Sequence, residues 1–190
     1  MRYGRESGMK VGVVSDTHLK EPHPEFKKMI ESHFKDVEKI LHAGDFVDRS
    51  IVEYLSSQKE LIAVCGNMDP PDIRKVFPQK RIIELGGFRI GLIHGGGAPF
   101  GIESRIREEF DEVAYAANSA EAGSAAKAGP ELQRPGVDVI VYGHTHTPAN
   151  HQVKNIYFFN PGSPTRSFWH SPTLGILHLG EKIEGEIIKI

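Results

Sequence analysis

The sequence predicts an α/β fold, built as a layered sandwich of two mixed β-sheets flanked by helices. Three observations point there. β-branched runs alternate with segments at helical spacing over the first half of the chain, a pattern that supplies the crossovers parallel strands require. Gly86-Gly87 between two apolar runs is a hairpin signal. Short strand-like runs joined by glycine and proline fill the C-terminal third, so the sheets are mixed.

Each element follows from its residues. Lys10 to Ser15 is a β-branched run, and Phe26, Met29, Ile30, His33 and Phe34 follow it at the spacing of one helix face. Val37 to Leu41 gives a second strand, and Ile51, Val52 and Leu55 a second helix that Asp48 is placed to cap. Leu61 to Val64 is a third strand, ended by Gly66-Asn67. Arg81 to Leu85 and Phe88 to Ile93 are the hairpin arms, while Ile102, Ile106, Phe110 and Val113 mark an amphipathic helix. Val137 to Tyr142 is a further buried strand, and Ile156 to Phe159, Leu174 to Leu179 and Lys182 to Ile190 close the fold. Asn118 to Gly136 is rich in alanine, glycine and serine, and Pro130 and Pro135 prevent a continuous helix there. It is expected to be a surface excursion, a lid or a contact in a homo-oligomer, within a single domain spanning 1–190.

Composition excludes several classes. With 39% apolar and 25% charged residues the chain is neither fibrous nor wholly disordered. Its 23 basic and 25 acidic side chains leave a net charge of −2, so no overall positive field gathers nucleic acid or an anionic membrane. A phosphate-bearing substrate would need a local site. Cys65 is the single cysteine, which rules out an intramolecular disulfide and fits a small buried hydrophobe in a reducing, cytoplasmic setting. No apolar run approaches the roughly 18–20 residues that span a bilayer. Met1 to Gly8 is too polar for the apolar segment of a signal peptide.

The strand ends carry the chemistry. Asp16 and His18 follow the first strand, Asp45 the second, Asn67 the third, His94 the strand ending at Ile93, and His144 with His146 the strand Val137 to Tyr142. Carboxyl ends of parallel strands converge on one crevice, so these seven side chains are expected to meet. Two carboxylates, an amide and four imidazoles crowded together are costly to bury without a cation. One divalent ion takes four to six ligands, so two ions sharing a carboxylate account for the set better than one. Mixed imidazole and oxygen donors suit Mn²⁺, Fe²⁺, Ni²⁺ or Zn²⁺ and not Ca²⁺. His42, just before Gly44-Asp45, is placed to support a ligand by hydrogen bonding, whereas His23, His33, His151, His170 and His178 read as surface or packing residues. Asp69 reads as a cap before Pro70.

In order along the chain, Asp16-Thr17-His18, Gly44-Asp45, Gly66-Asn67, His94 and Gly143-His144-Thr145-His146 resemble the motif blocks of the calcineurin-like metallophosphoesterases. Chain length, Gly66-Asn67-Met68-Asp69 and Asn160-Pro161-Gly162-Ser163 look most like the small prokaryotic phosphodiesterase branch, related to a retromer scaffold subunit. The resemblance implies that Asp16, His18, Asp45 and His146 hold one metal and Asp45, Asn67, His94 and His144 the other, manganese favoured, with Asp45 bridging. It implies in-line attack on a phosphodiester by a hydroxide between the metals, with Asn67 and Arg49 on the substrate, a small phosphoester or nucleotide. A phosphomonoesterase, a nucleotide pyrophosphohydrolase and a protein-interaction scaffold are the alternatives. Met68 departs from the pattern, because many relatives place there a histidine that assists the leaving group.

Overall fold

The computed structural model describes residues 8–121, 136–165 and 171–190, with the backbone alone over 112–121. The expectations for Met1 to residue 7, for residues 122–135 of the excursion and for His170 lie outside the described residues. Sheet one runs β10-β9-β1-β2-β3, with β1 (Met9–Val14), β2 (Lys39–His42) and β3 (Glu60–Ala63) parallel and β9 (Thr173–Leu179) and β10 (Ile183–Lys189) antiparallel. Sheet two runs β4-β5-β6-β8-β7, where β5 (Phe88–Ile93), β6 (Val139–Val141) and β8 (Ile156–Asn160) are parallel. β4 (Lys80–Leu85) and β7 (Ala149–Val153) pair antiparallel on its two edges. Both sheets are mixed, as expected. Gly86 and Gly87 turn the β4–β5 hairpin with φ of 58° and 82°, the left-handed pair a two-residue primed turn requires.

Strand alternation builds the layers. Val11, Val13, Leu41, Ala43 and Val64 of sheet one pack between the sheets with Ile90, Leu92, Val139, Val141 and Phe159 of sheet two. Val14 and Ile40 face outward onto α1 (Pro24–His33) and α2 (Arg49–Gln58), through Phe26, Ile30, Ile51 and Leu55. α4 (Ile102–Glu121) lays Ile102, Ile106 and Phe110 on the outer face of sheet two, against Ile140 and Phe158. Gly12 is needed at its position, because a Cβ there would lie 2.8 Å from the Phe34 ring.

α4 continues to Glu121, so the first residues of the expected excursion are helical. Two elements went unread. α3 (Pro71–Val76) is a short helix with proline at its first position, and β7 is an edge strand whose residues after Ala149 are exposed. Among the described residues no helix is long and apolar enough to cross a membrane.

Candidate metal centre

All six parallel strands end on the same side of the sandwich, and the loops that follow them meet there. Asp16 N–H donates to the Gly44 carbonyl at 3.0 Å, His18 N–H to the Asp45 carbonyl at 3.2 Å, and Gly143 N–H to the His94 carbonyl at 3.2 Å. Asn160, at the end of β8, donates to Gly143 O at 3.0 Å and Thr145 Oγ1 at 3.1 Å, so it clamps the Gly-His-Thr-His loop. Ser163 Oγ donates to the Asp16 carbonyl at 2.7 Å.

Backbone strain is concentrated here. Among the described residues seven non-glycine positions have φ in the left-handed region, and Asp16, His18, Asp45, Val47, His144 and His146 are six of them. Each such residue costs of order 1–3 kcal/mol, and such strain persists where surrounding contacts over-determine the conformation. Glycines make the close approaches. A Cβ at Gly143 would lie 2.7 Å from Asp16 Oδ2, and one at Gly66 would lie 2.6 Å from Asp45 N and collide with the Asp45 carboxylate.

The side chains converge in two overlapping groups. Ligand atoms of Asp16, His18 and His146 lie within 4.8 Å of one another, as do those of Asp16, Asp45 and His94. Asp16 Oδ1 is 3.3 Å from His146 Nε2, and Asp45 Oδ2 is 3.3 Å from His94 Nε2 and 3.6 Å from His18 Nε2. Asn67 Oδ1 is 3.2 Å from His94 Nε2 and 3.1 Å from His144 Nδ1. All seven expected residues are therefore brought together.

Proton accounting makes this cluster unusual. His94 Nδ1–H donates to the Ala43 carbonyl at 2.7 Å, and His144 Nε2–H donates to the Gly97 carbonyl at 2.8 Å. In the neutral rings His94 Nε2 and His144 Nδ1 consequently aim lone pairs at the Asn67 amide oxygen. Acceptors facing acceptors repel unless a cation or an added proton lies between them. The titration directions agree. Burial raises the Asp16 pKa, but hydrogen bonds from His146 and His18 overcome it and hold the carboxyl well below its ordinary range. Burial lowers the His94 pKa, yet the Asp45 and Asp16 carboxylates outweigh it and push it up; the bond to Asp16 likewise raises His146. The site draws positive charge into itself.

His42 supports the loops rather than a ligand side chain. Gly44 N–H donates to its Nδ1 at 3.1 Å, so Nε2–H donates to Thr17 Oγ1 at 2.9 Å, and Thr17 passes its proton on to the Asp45 carbonyl at 3.4 Å. The ring stacks on Phe46 at 3.5 Å, and complete burial pushes its pKa down to about 3. An unfolded histidine titrates near 6.5, so between about pH 6.5 and 3 the unfolded chain takes up a proton that the folded one refuses. Stability should decrease as the pH is lowered through that range, by up to about 1.4 kcal/mol per unit from this group. Urea midpoints of the metal-free protein at pH 7 and pH 5 should differ more for wild type than for His42→Gln. Equal differences would contradict this role.

One expectation needs correction. Pro70, not Asp69, is the N-cap of α3, and no side chain caps that helix. Buried Asp69 instead accepts Asp45 N–H at 3.0 Å, Gly66 N–H at 2.8 Å and Val47 N–H at 2.9 Å, tying the β2 and β3 loops together. Arg49 Nε donates to Glu53 Oε1 at 3.1 Å along its own helix, and the residue borders an apolar groove with Val52 and Phe77. Asp48 caps α2 as read, accepting Ser50 N–H at 2.8 Å.

Comparison with known proteins gives the family of the whole chain. The chain is 35% identical over 182 residues to a probable metallophosphoesterase of Methanothermobacter thermautotrophicus, covering 95% of this chain and 92% of the relative. A solved archaeal phosphodiesterase aligns with TM-score 0.67 at 26% identity, over 96% of this chain and all of that one. Vacuolar protein sorting 29 from Cryptosporidium parvum aligns with TM-score 0.70 at 21% identity over 97% and 93% of the two chains, a likeness of fold. The calcineurin-like phosphoesterase superfamily domain matches residues 9–182, from the first strand to the turn before the last, and the chain belongs to that superfamily.

Proposed function

We propose that the protein hydrolyses phosphodiester bonds with two divalent transition-metal ions, manganese favoured. Asp16, His18, Asp45 and His146 would hold one ion and Asp45, Asn67, His94 and His144 the other, with Asp45 between them. The observation that carries this reading is the set of lone pairs from Asn67, His94 and His144 aimed at one another at 3.1–3.2 Å, beside two carboxylates. A cation, or protons in its stead, satisfies them. Nitrogen and oxygen donors without thiolate suit manganese, iron, nickel or zinc.

Bound there, such ions supply a lowered pKa for water, from about 15.7 to about 7 or roughly 12 kcal/mol, and a sink for phosphoryl charge. The chain's own residues supply order. The Ala43 and Gly97 carbonyls fix the tautomers and ring planes of His94 and His144. Asp69 and Asn160 hold the loops, so the donor atoms are set before substrate arrives. The phosphodiesterase likeness at 26% identity favours diesters over monoesters and nucleotide pyrophosphates. A scaffold role rests on a likeness of fold at 21% identity and leaves the opposed lone pairs without a purpose.

Metal-stripped protein should be inactive on bis(p-nitrophenyl) phosphate and regain activity with Mn²⁺, with weaker return on a monoester. Activity unchanged by chelation would contradict the proposal. Met68 is largely exposed beside the centre, and its N–H donates to Asp45 Oδ1 at 2.7 Å. Met68→His should raise turnover of diesters with poor leaving groups, by up to about 10²-fold if a general acid is gained. No change would mean that leaving-group protonation does not limit the reaction.

A further inference from the structure

A cleft of about 460 Å³ opens beside the centre, bordered by Asn67 and His94 and within the usual range of small-molecule sites of roughly 300–1,000 Å³. Cys65, Ile93 and Ile106 give it an apolar wall. Arg74, Lys80 and Arg105 give it three cations against one carboxylate, Glu109, in a chain whose net charge is −2. Lys80 is matched by Glu109, Nζ to Oε2 at 2.6 Å. The two guanidiniums are not: among the described residues neither has a carboxylate partner.

Their hydrogen bonds go to backbone carbonyls at the edge of the centre. Arg74 donates from Nε to Asp69 O at 2.6 Å and from Nη2 to Asn67 O at 2.5 Å. Arg105 donates to Phe100 O at 2.8 Å, Gly96 O at 3.1 Å and Ala98 O, which pins the loop whose Gly97 carbonyl orients His144. A guanidinium has five N–H groups, so each retains donors after these bonds, and each keeps its full charge. Two positive forks are thereby held close to residues Asn67 and His144.

We propose that this cleft seats a second phosphate of the substrate, so that the protein acts on phosphodiesters one arm of which carries another phosphate, whose hydrolysis releases a product of the nucleoside bisphosphate kind. This rests on the hydrolytic reading above. One bidentate guanidinium occupies one edge of a carboxylate, whereas a terminal phosphate presents three oxygens and up to two negative charges and is the better match for two guanidiniums. Ile93 and Ile106 provide apolar contact for the part of the arm that carries no charge.

The test is calorimetric titration of the Mn²⁺-loaded protein with AMP and with adenosine 3′,5′-bisphosphate. The bisphosphate should bind about tenfold or more tightly, as one or two extra charge-assisted hydrogen bonds provide. Arg74→Gln and Arg105→Gln should each shrink that ratio to about threefold or less, and Arg74→Lys should retain part of it. Because both ligands are compared on the same variant, a general weakening of the metal centre cancels from the ratio. If Arg105→Gln does not fold, Arg74→Gln decides alone. A ratio near one in wild type, or one unmoved by Arg74→Gln, overturns the cleft assignment even where metal-dependent diester hydrolysis is present. A tenfold ratio without hydrolysis by any metal form would leave the cleft as a bisphosphate site and overturn the hydrolytic reading instead.

Discussion

Asp45→Asn is expected to lower diester hydrolysis about 10³-fold or more, equivalent to roughly 4 kcal/mol of activation free energy. The carboxylate is placed for two tasks that an amide cannot share. Its Oδ2 faces both His94 at 3.3 Å and His18 at 3.6 Å, and its charge would be shared by both ions. An amide oxygen can still accept the Met68 N–H at 2.7 Å that positions this side chain, so the fold should survive. Burial raises the Asp45 pKa and Asp16 adds to that, but the bond to His94 outweighs both and holds the carboxyl below its ordinary range, so neutralising it should lower metal-free stability modestly. The discriminating pair of measurements is kcat/KM and the thermal shift on adding Mn²⁺. Loss of both, with a metal-free protein that still folds and melts only a few degrees lower, is the expected result. A variant with full activity and an undiminished shift would remove Asp45 from its bridging position.

Asp69→Ala is expected to cost about 3–5 kcal/mol of stability, as much as truncating a large core side chain. Three backbone N–H groups, from Asp45, Val47 and Gly66, would lose their acceptor in a site where Asp69 is 3% exposed. Unsatisfied buried donors cost about 1–3 kcal/mol each, with the lower end applying if water enters. For a chain of this size that corresponds to a fall of about 6–20 °C in Tm. Asp69→Asn should lie between, because the amide oxygen replaces one carboxylate oxygen while the NH₂ group confronts a donor. Thermal midpoints measured without metal separate this from any loss of ions. A midpoint within 2 °C of wild type, inside the roughly 0.5 kcal/mol typical of a neutral surface change, would show that these bonds do not hold the loops.

The layered fold was legible because the sequence states its periods clearly. Val11, Val13 and Val14 are β-branched, Phe26 and Ile30 are one helical turn apart, and Gly86-Gly87 admits little besides a tight hairpin. β7 escaped because an exposed edge strand with Asn150, His151 and Gln152 carries no buried face to betray it. α3 escaped because six residues after Pro70 are too few to establish a period.

The centre was legible as a set of residue types at strand ends, and opaque in its supports. Asp69 bonds to Asp45, 24 positions away, so its role exists only once β2 and β3 lie side by side, and locally it resembles any carboxylate before a proline. Asn160 and Ser163 were noticed as a motif but given no task, since the loops they hold begin 17 and 147 residues earlier. Left-handed backbone at Asp16, His18, His144 and His146 is likewise set by tertiary contacts that no propensity forecasts.

Crystals grown with Mn²⁺ and measured at its absorption edge test the central claim most directly. Two anomalous peaks about 3.5–4 Å apart are expected, one beside Asp16, His18 and His146 and the other beside Asn67, His94 and His144, with Asp45 between them. No peak within reach of these side chains at saturating metal, or rings of His94 and His144 turned away from Asn67, would contradict it.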